Sequence, residues 1–269
     1  MSAGPARPAP RWDGALYAAN TAHHRRHDED FLRGVTFRRG ARVLDIGCGV
    51  GDLTARLAQL AVDGEVVGID ADADMVATAR QRSAAAGVRF AVCRAQELDR
   101  LLPADSVHVA VSVAMLHWVP AAEHPTVLAQ VRRVLRPGGL FRAEFGGSGQ
   151  IAAVHALLDE ESAGVGGGPA RWFFPTVERY SQLLEDAGFS VPPAGWVRLV
   201  RQRRRIPDEE AFLGWLRSQV LVAYDPVVPA AQLRRFRAAA EERALSQLRR
   251  HDGSYDQDFV RLDLLAVPH

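Results

Sequence analysis

Four groups of residues in this chain of 269 have types and spacing that could do chemistry. The first is Gly47-x-Gly49-x-Gly51, directly after the apolar run Val43-Leu44-Asp45-Ile46. Glycines at that spacing let the main chain turn sharply and come close to a ligand. The helix pattern that resumes at Asp52 adds N–H groups facing an anionic group. The second is Asp70, which ends the next apolar run, where one carboxylate can accept from both hydroxyls of a ribose. The third is histidine: His117 within Leu116-His117-Trp118-Val119-Pro120, and the cluster His23, His24 and His27. The fourth is arginine, which supplies all 33 basic residues. Without lysine there is neither Schiff-base chemistry nor a P-loop lysine. Cys48 and Cys93 lack C-x-x-C spacing, so neither a disulfide framework nor a thiolate metal site is expected. Cys48 reads as a small packing residue, and no His/Asp/Glu set has ligand spacing, so no metal is expected.

Positioning these groups takes a scaffold, and the pattern supplies one. Short apolar runs at Ala41–Ile46, Glu65–Ile69, Val88–Cys93, Val107–Val113 and Leu140–Phe145 read as strands. Helical patterns lie between them, at Asp52–Leu60, from an Asp72 cap to Ala86 with Gly87 closing it, and at Thr126–Leu135 stopped by Pro137-Gly138-Gly139. This alternation predicts a parallel sheet covered on both faces. The second half reads as helices near Ile151–Glu160 and from Pro175-Thr176 to Gly188, a sixth strand Trp196–Ile206, helices Asp208–Tyr224 and Ala230–Arg250, and a last strand Phe259–Val267. The expected organisation is a disordered segment 1–11, N-terminal cap helices 12–40, a core of 41–206 plus 254–269, and a helical lid insertion 207–253. Composition agrees with a soluble globular protein: 48% hydrophobic, 24% charged, net charge +1. The balanced charge gives no case for nucleic acid or a membrane surface. No run approaches ~20 apolar residues, the length of a membrane span. The first twenty residues lack an apolar signal core, so a reduced, cytoplasmic protein is expected.

Two cofactor classes share a glycine turn followed by a strand-end acid. The dinucleotide fingerprint ends in a small residue that lets helix and strand pack closely. Asp52 stands at that position. Gly-x-Gly-x-Gly with Asp45 ahead of it fits S-adenosylmethionine instead, which has one ribose and no pyrophosphate. A nicotinamide oxidoreductase is the alternative, and a non-catalytic S-adenosylmethionine-binding module is a third reading.

With Asp70, the turn Val134-Leu135-Arg136-Pro137-Gly138-Gly139 and the late last strand, the sequence resembles the class I S-adenosylmethionine-dependent methyltransferases over about residues 12–267. Trp12-x-x-x-x-Tyr17 and Leu116–Pro120 look most like the small-molecule branch that includes trans-aconitate methyltransferase. The resemblance implies a Rossmann-like, doubly wound α/β sheet of seven strands, the last antiparallel, with the helical lid inserted before it. It implies that Asp45, Gly47, Gly49 and Gly51 wrap the methionine end of the cofactor, that Asp70 holds the ribose and that Ala71 and Met75 flank the adenosine. The resemblance also implies that Ala95 and Gln96 meet the adenine edge and that Ser112 to Leu116 lie beneath the sulfonium. The family commonly has Asp where Arg94 and His108 stand, which leaves Gln96 as the implied adenine partner. His117 is the expected catalytic residue, as base or as donor to a carboxylate. Tyr17, His24, Trp118, Trp172 and Arg217 are assigned to the acceptor, Arg217 by bidentate pairing with a carboxylate. The expected partner is therefore a small-molecule acceptor, with a carboxylate as the candidate group.

Overall fold

A computed structural model describes residues 12–20, 30–83 and 87–269. Five strands come first: β1 (Arg42–Ile46), β2 (Glu65–Asp70), β3 (Val88–Val92), β4 (Val107–Val113) and β5 (Leu135–Gly146). They pair in parallel, and the order is β3-β2-β1-β4-β5. β8 (Tyr255–Pro268) joins β5 antiparallel, from Phe141↔Ala266 to Gly146↔Arg261. The two-residue β6 (Phe189–Ser190) and the longer β7 (Trp196–Ile206) both pair with β8. The sixth strand is thus one strand position interrupted at residues 191–195, and the seven-stranded reading holds with its last strand antiparallel.

The central strands β1, β2 and β4 bury both faces, which explains their near-continuous apolar runs. Leu44, Ile46, Val67 and Ile69 face one core layer, built with Val127, Leu128 and Val131 of α4 (His124–Val134) and with Tyr180, Leu183 and Leu184 of α6 (Val177–Asp186). Val43, Val66, Val109 and Val111 face the opposite layer, against Phe31 and against Leu57 of α2 (Asp52–Leu60). The period of two along β1 sends Asp45 to that second face, towards α2.

Local signals set the helix ends. Asp72 caps α3 (Ala73–Arg82) by accepting from the N–H groups of Asp74 and Met75. Thr176 caps α6, and Gly87 and Gly188 take the left-handed conformation. α3 ends at Arg82, short of Ala86, and residues 84–86 lie outside the described residues. α4 also departs from expectation, running from His124 to Val134, and Leu135 already belongs to β5. Pro137-Gly138-Gly139 does not stop a helix. It forms a bulge, because Val107 pairs with Leu135 while Val109 pairs with Leu140. Proline donates no N–H, and a bulge tolerates that.

The chain forms two compact units. Of the described residues, the larger comprises 30–83, 87–150, 173–201 and 260–269, and the smaller 12–20, 151–172 and 202–259. In the smaller unit α5 (Ala152–Gly164) groups with α7 (Glu209–Trp215) and α8 (Leu233–Leu248). The helix expected over Asp208–Tyr224 is α only to Trp215, then a π turn over Leu216–Val220 and a 3₁₀ turn to Tyr224. Ser218 Oγ donates to the Gly214 carbonyl at 2.6 Å, an acceptor that a regular helix reserves for its own backbone. α1 (Gly14–Ala19) is one short helix, capped by Asp13.

His124 is fully buried against Phe173, Phe145 and Tyr180. Burial lowers its pKa from 6.5 to about 4. The unfolded chain therefore takes up this proton first, so stability is full above about pH 6.5 and falls as pH drops towards 4. Urea midpoints measured from pH 7.5 to 4.5 should decline across that window. His124→Asn should flatten the decline, and an unchanged acid limb in this variant would remove His124 as its cause.

Candidate functional site

The site assembles in the larger unit at the carboxyl ends of β1, β2 and β4, the edge where open parallel sheets bind ligands. Gly47, Gly49 and Gly51 all have positive φ (75°, 52° and 84°). The turn closes on itself: Gly47 and Cys48 both donate to the Ile69 carbonyl at 2.8 Å, and Gly51 donates to Cys48. Gly49 N–H donates to Asp70 Oδ2 at 3.0 Å, and Asp72 N–H donates to Asp70 Oδ1 at 2.9 Å. Each Asp70 oxygen thus accepts one backbone bond and keeps a second lone pair. Burial pushes the Asp70 carboxyl pKa up, and the N–H bonds from Asp72 and Gly49 pull it back. Asp45 is buried, and its Oδ2 accepts from Thr54 Oγ1 at 2.6 Å. Burial, with Asp45 and Asp70 close by, drives the Cys48 thiol far up, which excludes a nucleophilic thiolate and leaves Cys48 packed beside Phe90.

Asp52 opens α2 with its carboxylate in the first turn, and Arg82 donates to it at 2.7 Å. An acid there disfavours a bound pyrophosphate, which a dinucleotide would bring to this helix end.

Of the residues assigned to adenosine, Ala71 is exposed, whereas Met75 and Ala95 are buried. Gln96 is committed in part: its Nε2 donates to Glu123 Oε2, to which Arg94 also donates at 2.8 Å. An exocyclic amine would meet Gln96 through its carbonyl oxygen. Glu123 belongs to this cluster and was missed, because its partners stand 27 and 29 positions away and no local pattern marks it. Ser112 needs correction. It lies within β4, is buried, and donates Oγ to the Ile46 carbonyl at 2.9 Å, so it joins strands rather than facing a ligand. Met115 takes the contacting place instead: its side chain lies against Gly47.

After β4, Ala114 adopts φ 54°, rare for a side-chain-bearing residue, with its N–H donating to the Glu144 carbonyl at 2.7 Å. This turn launches Leu116–Trp118. The His117 carbonyl accepts from Phe173 N–H at 3.0 Å, and His117 Nδ1 accepts from Gly146 N–H at 3.2 Å. Its ring centroid lies 5.5 Å from that of Trp118 and 5.7 Å from that of Phe174. Because Nδ1 accepts a proton donor, the neutral ring carries its own proton on Nε2. In that tautomer the ring's donor is Nε2–H.

The remaining assignments fall elsewhere. His24 lies outside the described residues, as do His23 and His27. In the smaller unit Tyr17 packs edge-on to Trp12, and Trp172 packs edge-on to His155 and Tyr224. Arg217 is corrected: Nε and Nη2 both donate to Glu241, at 2.7 and 2.6 Å, so the fork that an acceptor carboxylate would need is already engaged. Among the described residues no cluster of three or more His, Cys, Asp or Glu could hold a metal ion, and no helix is long and apolar enough to cross a membrane.

Residues 43–139 match the family described as Methyltransferase domain. An uncharacterised methyltransferase of Schizosaccharomyces pombe is 31% identical over 193 residues, covering 68% of this chain and 72% of its own. A trans-aconitate 2-methyltransferase of Mycobacterium tuberculosis is 33% identical over 231 residues, covering 78% of each chain. Among solved structures, the YcgJ protein of Bacillus subtilis superposes with a TM-score of 0.60 at 16% identity, over 91% of this chain and 99% of its own, a likeness of fold.

Proposed function

Because the chain belongs to the class I S-adenosylmethionine-dependent methyltransferases, and so uses S-adenosylmethionine as its cofactor, we propose that it methylates a carboxylate of a small organic acid. The observation that carries this reading is His117, whose Nδ1 is satisfied by Gly146 N–H, so that Nε2–H is the ring's donor. A donor beside the reacting atoms suits an acceptor that arrives as an anion. The relative named trans-aconitate 2-methyltransferase supports the same acceptor class.

The donor set suits the cofactor. Asp70 offers two carboxylate oxygens, each with a lone pair beyond its backbone bond, which is what a ribose diol needs. Asp45, held by Thr54, supports the glycine turn from beneath. Gly47, Gly49 and Gly51 would follow the methionine end, and Ala71, Met75, Ala95 and the Gln96–Glu123 pair the adenosine end. When bound, the cofactor supplies a methyl group on a positively charged sulfur, whose bonding electrons stay on sulfur as the acceptor oxygen attaches. The chain's own task is then alignment and exclusion of water. A carboxylate is ionised at neutral pH and needs no base, consistent with a histidine set as donor. His117 Nε2 would hold one acceptor oxygen while Trp118 and Phe174 fix the ring.

Two further statements belong to the same proposal: the larger unit carries the cofactor, and the enzyme works in the reducing cytoplasm with Cys48 and Cys93 as thiols. Transfer of a labelled methyl group to a panel of small acids that includes trans-aconitate tests the reading. The expected product is an ester, so the label should be released by mild alkali. A label stable to alkali would mean that nitrogen or carbon is the acceptor atom. His117→Ala should raise KM for the acid about tenfold and leave the affinity for S-adenosylhomocysteine as it was. Wild-type kinetics in that variant would make His117 a packing residue.

A further inference from the structure

With the ribose on Asp70, as proposed above, the base attached to it has one side of the sheet edge left. In the order β3-β2-β1 the glycine turn occupies the β1 side of Asp70, so the base goes to the β3 side. Val92 pairs with Asp70, and Cys93 N–H donates to the Asp70 carbonyl at 2.9 Å, so β3 ends level with the proposed ribose site. Gln96 follows on a segment fastened to α4. Asp99 N–H donates to Gln130 Oε1 at 3.0 Å, and Arg133 Nη2 donates to the Leu102 carbonyl at 2.7 Å. Glu123 adds a further tie, and its own N–H is held by the Pro120 carbonyl at 2.8 Å.

An amide has one donating end and one accepting end, and its neighbours decide which way round it sits. A carboxylate only accepts. Glu123 Oε2 takes an N–H from Gln96 Nε2 and another from Arg94 Nη2, the latter at 2.8 Å. Gln96 therefore turns its NH₂ to Glu123 and its carbonyl oxygen away from it. The reversed amide would set oxygen against oxygen.

We propose that Glu123 is a positioning residue that makes the cofactor site selective for a 6-aminopurine over a 6-oxopurine, by holding the Gln96 carbonyl oxygen toward the base. Adenine offers that oxygen its N6 amino group, a donor. A 6-oxopurine offers O6, an acceptor facing an acceptor. The inference rests on the placement of adenosine beside Gln96, and the test tells the two apart.

The test is calorimetric titration of the full chain with S-adenosylhomocysteine and with S-inosylhomocysteine, its 6-oxo counterpart. The wild type should prefer the adenosyl ligand about tenfold or more. Gln96→Ala removes the reading group and should lose most of that preference. In Glu123→Leu the amide is free to turn its NH₂ to O6, and Arg94 is released as a second donor. The inosyl ligand should then bind more tightly than it does to the wild type and the adenosyl ligand less tightly, leaving a preference of about twofold or below. Glu123→Gln still presents an oxygen to the same two donors and should keep the preference. The Glu123 side chain is 38% exposed, so these replacements leave the core intact. A residue that merely braced the fold would weaken both ligands together and leave their ratio alone. Wild-type preference in Glu123→Leu, where Gln96→Ala has lost it, would overturn the role of Glu123 and leave the adenosine placement standing. Wild-type preference in Gln96→Ala would overturn the placement, and the inference with it.

Discussion

Asp70→Ala should weaken S-adenosylmethionine binding by about 2–3 kcal/mol, roughly 30- to 150-fold, in a protein that still folds. The size follows from the two tasks of this carboxylate. Its outward lone pairs are the acceptors proposed for the ribose. Its inward ones take the N–H of Gly49 at 3.0 Å and the N–H of Asp72 at 2.9 Å. Alanine removes both sets at once, so the glycine turn loses an anchor in the step that removes the ligand contact. Asp70→Asn separates the tasks. Its carbonyl can still accept one backbone N–H, while its NH₂ group confronts the other donor, so part of the loss should persist. Calorimetry with S-adenosylhomocysteine measures both variants, with far-UV dichroism as the folding control. Wild-type affinity in folded Asp70→Ala would mean that the cofactor binds elsewhere, and the assignments of Asp45 and the three glycines would fall with it.

The contrast between what was legible and what was not has a physical origin. Apolar periodicity and caps are local. The extent of α2, the β4 span, the Asp72 cap and the left-handed glycines 87 and 188 therefore follow from neighbouring residues alone. The glycine turn and Asp70 were legible for the same reason: the strand ends that carry them are local features, and the sheet brings the two together. The misread site residues all have partners distant in sequence. Ser112 is absorbed by a carbonyl 66 positions away, Arg217 by a carboxylate 24 away and Gln96 by one 27 away. A sequence can say which face a side chain takes, but not which group arrives opposite it. His117 shows the middle case. Its place after β4 was legible, whereas its set as a donor depends on the N–H of Gly146, 29 positions on. The π turn at Leu216–Val220 was missed because Ser218 looks like any polar helical residue until its hydroxyl takes the Gly214 carbonyl.

Gly47→Ala should be the most damaging single methyl group in the protein, costing about 3 kcal/mol or more of stability and abolishing cofactor binding. Two effects add at this position. The backbone has φ 75°, which a side chain resists by about 1–2 kcal/mol. The new Cβ would also stand 2.1 Å from Met115 Cγ and 2.4 Å from Met115 Cβ. A long side chain can swing its far end away, but a Cβ moves only with its backbone. That backbone is held on both sides: Ala114 N–H is bonded to the Glu144 carbonyl at 2.7 Å, and Leu116 is fully buried in the core. The glycine turn must therefore give way, and it carries the N–H groups of Gly47 and Cys48 off the Ile69 carbonyl. Gly40 is the control, since it has a similar φ of 71° and nothing lies within 4 Å of the place its new methyl would take. Gly40→Ala should show the conformational cost alone, about 1 kcal/mol, with cofactor affinity intact. The pair divides backbone strain from steric conflict, and truncating Met115 to Ala should not rescue Gly47→Ala, because the offending Cβ remains. Urea midpoints and S-adenosylhomocysteine titrations decide it: if Gly47→Ala were no less stable than Gly40→Ala and still bound the ligand, the turn would not be the rigid close-approach element on which the site is built.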